Sequence, residues 1–217
     1  IGAGNLLLPM AWWAAWLLST RWPGLWSMPR AATWPGWLHA FVMQYQVLPS
    51  FFFGFLLTVF PRWMGLPDLA RWQYLPVGLD LLGGQALLLA SALGIAPALT
   101  VGLLMTVAGW CAGVALLGRL LLAEQGRTWH ARSCFAAMAL GLLGALCFVH
   151  FLYSGSPWAM LASIKLGSFG LLLPVYLTVA HRMFPFFAGN VVPGYVAWRP
   201  MRWLALVWGL LGAHLLL

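Results

Sequence analysis

Seven long apolar stretches, at about residues 3–19, 35–60, 75–94, 97–120, 132–153, 158–181 and 202–217, occupy most of the chain. A helix needs roughly 20 apolar residues to cross a hydrocarbon core about 30 Å thick, and each stretch meets or nearly meets that length. Lipid offers no hydrogen bonds, so a spanning segment satisfies its own backbone as a helix or closes into a barrel. Barrel strands alternate in polarity; these stretches are apolar throughout. The sequence therefore predicts an all-α fold, a polytopic bundle of about seven transmembrane helices, in one domain over residues 1–217.

The charges agree. Asp68, Asp80 and Glu124 are the only acids, and charged residues make up 6% of the chain, against roughly a quarter in soluble domains. That excludes an ordinary soluble enzyme and a disordered regulator. The net charge of +8 comes from ten arginines and Lys165. These are scattered through the gaps rather than gathered in the stripe that nucleic acid requires, so the expected partner is a lipid bilayer and not nucleic acid. Cys111, Cys134 and Cys147 lie inside apolar stretches without CxxC spacing and read as small buried hydrophobes.

Prolines mark the gaps. Pro23, Pro29 and Pro35 punctuate the first, Pro61 and Pro67 bound the second, and Ser154-Gly155-Ser156-Pro157 forms a tight turn. Pro185 is expected to end the sixth helix, with His181 and Arg182 capping its last carbonyls or, alternatively, forming a cytoplasm-side site for an anion or a second cofactor. Pro49 and Pro174 fall within helices two and six, where each removes a backbone hydrogen bond and is expected to produce a kink.

Basic residues segregate by gap. Arg62, Arg71, Arg119, Arg127, Arg132, Arg182, Arg199 and Arg202 belong to the gaps after helices two, four and six, whereas Arg21 and Arg30 alone belong to the others. Positive residues stay on the cytoplasmic side. The expected topology is thus a multi-pass protein of the bacterial inner membrane whose first residue is cytoplasmic. Tryptophans cluster at run boundaries, as an interfacial belt requires.

Ionisable residues at membrane depth are costly and mark functional sites. On this topology His39, His150, Lys165 and His214 come from four helices at similar depth in the outer half, and Met43 lies one turn from His39. Histidine nitrogen suits haem iron or copper, and a Met thioether suits Cu(I). The candidate cofactor set is therefore His39, Met43, His150, His214 and Lys165, with Lys165 either snorkelling or facing an anion such as a haem propionate. Each histidine also has a simpler reading as an interfacial hydrogen-bonding group. Asp80 and Arg119 are expected as a structural ion pair, with a proton relay as the alternative. No Ser-His-acid set, phosphate-cradling loop or HExxH spacing occurs.

His39-Ala40-x-x-Met43, followed by Gly54-Phe55-Leu56-Leu57-Thr58-x-x-Pro61-x-Trp63-x-Gly65, resembles a hallmark string of the NnrS family. His181-Arg182-Met183-Phe184-Pro185-Phe186-Phe187, with Asn190 after it, resembles a second. The likeness spans most of the chain. It implies an inner-membrane protein of about twelve helices, of which this chain would be the N-terminal portion. It also implies binding of haem, expected as b-type, and of copper, and a link to nitric oxide metabolism and nitrosative stress. Carried over by position, His39 and Met43 belong to the first motif and His181 and Arg182 to the second, so His39, Met43 and His181 are the metal candidates. Many members have a second His and an acid where this chain has Phe41 and Val42. The rival readings are a transporter or channel with Lys165 and Asp80 along its path, and a membrane oxidoreductase acting on nitric oxide or quinol.

Overall fold

A computed structural model describes residues 2–217. Among these residues the chain is helical with no strand. Seven continuous helices follow one another as α1 (Gly2–Arg21), α2 (Pro35–Trp63), α3 (Arg71–Ala92), α4 (Pro97–Ala123), α5 (Trp129–Ser154), α6 (Pro157–Val191) and α7 (Met201–Leu216). Proline opens α2, α4 and α6 at the first helical position, where its missing N–H has no intrahelical partner to lose. Gly155, at φ 68°, ends α5 in the left-handed conformation, and Pro157 starts α6 two residues later. The expected tight turn is formed.

Among the described residues, five helices, α2 to α6, are long and apolar enough to span a bilayer. The expected seven spans are thus five by length and composition. The twenty residues of α1 are diluted by Asn5, Ser19, Thr20 and Arg21, and α7 has sixteen residues. Most of the boundary tryptophans, among them Trp22, Trp34, Trp72, Trp158 and Trp198, are exposed. Pro185 does not end α6, which continues to Val191. A proline removes one backbone bond, and the turns beyond it close without that bond.

The tightest helix pair is α3 with α4. A Cβ on Gly84 would lie 2.9 Å from the Gly102 carbonyl, and one on Gly102 would lie 2.9 Å from the Gly84 carbonyl. Side chains of one hydrogen let the two backbones touch, which is how helices associate where lipid removes the hydrophobic drive.

Both internal prolines sit just after a widened turn. Residues Met43–Val47 and Leu166–Leu172 are π-helical, with Leu48 N–H bonded to the Met43 carbonyl and Leu173 N–H to that of Ser168. The widening carries backbone carbonyls off the regular ladder just ahead of Pro49 and Pro174. The Tyr45 carbonyl, which position 49 would bond in a regular helix, instead accepts the indole Nε1–H of Trp110 on α4 at 2.8 Å. Trp110 is fully buried and packs edge-on against Phe53 at 5.1 Å. Around it Phe41 stacks on Phe148 of α5 at 4.2 Å, so α2, α4 and α5 share one aromatic core.

Trp110→Phe orphans the Tyr45 carbonyl, at a cost of about 1–3 kcal/mol, to which the lost part of the buried ring adds a cavity cost. The thermal unfolding midpoint in detergent is expected to fall. Pro49→Ala restores an N–H to the helix and should recover part of the loss only in the Trp110→Phe background. Equal effects of Pro49→Ala in both backgrounds would show that the indole bond does not compensate for the proline.

Candidate functional site

His39 lies in the second turn of α2, half-buried, its ring stacked on Trp13 of α1 with centroids 4.1 Å apart and planes 8° from parallel. Its Nδ1 is buried and has no hydrogen-bond partner. Met43 follows one turn later, half-buried at the start of the first π segment. Lys165, half-buried, immediately precedes the second. These two widened turns are joined. Gln44 Nε2 donates to Ser168 Oγ at 2.8 Å and to the Ile164 carbonyl at 3.3 Å, and the Tyr45 hydroxyl donates to the Ser163 carbonyl.

The other two expected members of this group are exposed. His150 is exposed on α5. His214 is exposed on α7, its ring against Phe169 of α6 at 3.9 Å. Among the described residues no three His, Cys, Asp or Glu side chains converge as a metal-binding group. Phe41 and Val42, standing where many members of the resembled family have polar residues, are fully buried and belong to the aromatic core. Cys134 is buried, Cys111 is exposed, and all three cysteines are free.

Below His39 runs a polar seam that a search for ionisable residues misses. Asn5, Gln46, Gln85 and Thr106, one from each of α1 to α4, are essentially fully buried. Gln85 Nε2 donates to the Asn5 carbonyl at 2.6 Å, and Gln46 Nε2 to Thr106 Oγ1 at 2.7 Å. The Asn5 amide, Gln46 Oε1, Gln85 Oε1 and Trp12 Nε1 lack partners. A signal was present: Trp12 is seven residues after Asn5, which places the pair on one face of α1.

At the opposite, arginine-rich end, His181 Nδ1 and His130 Nε2 are 3.0 Å apart, joining α6 to α5. His130 is 6% exposed. The second nitrogen of His181 lies 3.3 Å from the Pro200 carbonyl. Arg182 lies over the Trp63 ring at 4.6 Å, a cation–π contact between the two sequence strings, one at the end of α2 and one on α6. Ser133 and Thr178 hydroxyls meet at 2.6 Å, and Trp208 Nε1 donates to Ser133 at 2.6 Å. A cavity of about 570 Å³ beside His181 is lined by Phe184, Trp198, Arg199, Pro200 and Trp203. His181 and Arg182 are therefore not helix-end caps: α6 continues past them, and their side chains bind other helices.

One further expectation is corrected. Asp80 is half-buried in mid-helix, against Gly109 of α4, where a Cβ would lie 2.9 Å from that of Asp80. Gly109 precedes Arg119 by ten residues, about 15 Å of helix, and the sole salt bridge among the described residues joins Arg62 to Asp68. The Asp80–Arg119 pair is not formed. His39 and His181 lie near opposite ends of the bundle: Arg182 touches Trp63, which is roughly 35 Å along α2 from His39. As metal candidates they would belong to separate sites.

The fold defines a polytopic, all-helical membrane protein with histidines near both ends and two π-widened helices joined at its centre. The model of the NnrS family, described as NnrS protein, matches residues 1–217, and the chain belongs to that family. No curated protein and no solved structure matches it.

His181→Phe leaves the buried His130 nitrogen without its partner and should lower stability by about 1–3 kcal/mol. The double variant His130→Phe/His181→Phe should cost clearly less than the sum of the singles, measured by unfolding followed through tryptophan fluorescence. Strict additivity would mean that the imidazoles are not coupled.

Proposed function

We propose that the chain is an integral haem protein of the bacterial inner membrane, acting in nitric oxide metabolism or resistance to nitrosative stress. Membership of the NnrS family supports this reading. The observation that carries the cofactor is His39, whose Nδ1 is buried yet unpartnered in a ring held by Trp13. An unsatisfied imidazole nitrogen in an apolar site costs free energy that a metal bond would offset. Bound haem supplies an iron centre at which nitric oxide can be held.

His39 would be the haem ligand from α2, and Met43 could not oppose it. Residues i and i+4 share one helix face, so they cannot sit on opposite sides of a porphyrin. The same imidazole and thioether, side by side, suit a Cu(I) ion, which makes copper at His39 and Met43 the competing occupant. His181 fits neither group, since both its ring nitrogens already face partners. Lys165, half-buried and next to the second π segment, would bind a carboxylate of the cofactor. The arginine-rich end faces the cytoplasm by the positive-inside rule.

Absorption spectroscopy of the purified protein tests this reading. A haem band is expected in the wild type, in His150→Ala and in His214→Ala, and its loss in His39→Ala. Copper without haem, abolished by Met43→Leu as well as His39→Ala, would assign the site to Cu(I). A colourless, metal-free protein would favour a transporter.

A further inference from the structure

A second site lies between α5 and α7, with no histidine in its lining. It is a cavity of about 630 Å³ whose lining includes Arg132, Arg202, Ala136, Ala205 and Trp208. Arg132 is in the first turn of α5 and Arg202 in the first turn of α7, so both guanidinium groups stand at the same end of the bundle. Ala136, Ala205 and Trp208 lie up to two turns further along, about 5–9 Å deeper into the membrane. The cavity thus grades from cationic at its mouth to apolar within. Its one hydroxyl, Ser133, is already engaged by Thr178 and Trp208.

Neither arginine has a carboxylate partner among the described residues. The acid in the adjoining loop, Glu124, is bonded to the amide and hydroxyl of Thr128. Arg132 lies over the Trp129 ring at 4.3 Å, which orients the guanidinium and leaves its edge donors free. Planar guanidinium donors match phosphate oxygens in pairs. A free anion would satisfy the arginines but leave the apolar walls unfilled, and a neutral lipid the reverse.

We propose that this cavity binds an anionic phospholipid, its phosphate on Arg132 and Arg202 and an acyl chain along Ala136, Ala205 and Trp208. Basic pockets between membrane helices recognise acidic headgroups by the same chemistry. The site uses none of the residues assigned to the cofactor, so it stands or falls independently of the haem.

Native mass spectrometry of the intact protein tests the proposal, titrating dioleoylphosphatidylglycerol against dioleoylphosphatidylcholine, which carries the same chains. The anionic lipid should bind more tightly. Arg132→Gln/Arg202→Gln should weaken it by roughly thirtyfold, the factor for two arginines at about 1 kcal/mol each, with helicity by circular dichroism unchanged. Ala205→Phe, which keeps both charges and fills the groove, should also displace it. Three outcomes would overturn the assignment: unchanged affinity in the arginine variant, unchanged affinity in Ala205→Phe, or inorganic phosphate binding as tightly as the lipid.

Discussion

The bond from the Trp110 indole to the Tyr45 carbonyl expresses the constraint on which this bundle rests. In hydrocarbon no backbone group can turn to water, so every break in a helical ladder must be repaired from within the protein. Pro49 makes such a break. The π turn ahead of it aims the exposed carbonyl at α4, where a fully buried tryptophan supplies the donor. The same widened turn presents Gln44 and Tyr45 to α6, whose own π segment precedes Pro174. One local defect, compensated, therefore fixes how α2 meets two other helices. Met43 and Lys165 flank the two widened turns as a consequence.

The site follows from this frame. Trp13 holds the His39 ring on one face, and the polar seam of Asn5, Gln46, Gln85 and Thr106 lies below it. Buried amides in a membrane interior bind helices to one another and accept further partners. At the other end the His130–His181 contact and the Arg182–Trp63 stack tie α6 to α5 and α2. The two strings that carry the family resemblance are thus structural partners at that end, while His39 and Met43 stand apart near the other.

Much of the architecture is legible in the sequence. The helices start within four residues of the apolar boundaries, because composition changes sharply where a chain leaves hydrocarbon, and Pro35, Pro97 and Pro157 open helices outright. The site is legible only in part. Depth in the membrane singles out His39, Met43 and Lys165, but depth does not give burial, and His150 and His214 stand at exposed positions. The pairing of His130 with His181, 51 positions away, has no sequence signal. The amides carry no charge and so escape a search for ionisable groups. The Asp80–Arg119 pair fails because gap positions give only an approximate level, whereas the Gly109 contact sets the actual register.

By itself the sequence determined what depends on solvent partition: helical spans, their order, and the gathering of eight arginines at one end. These follow from the transfer of each residue between water and lipid, which is a local property. The tertiary structure alone decided which face of each helix turns inward. Lipid and protein core are both apolar, so hydrophobicity does not mark the buried face of a spanning helix. Close glycine contacts, rescued carbonyls and stacked rings settle that rotation, and with it which nitrogen atoms are left unpartnered inside the membrane.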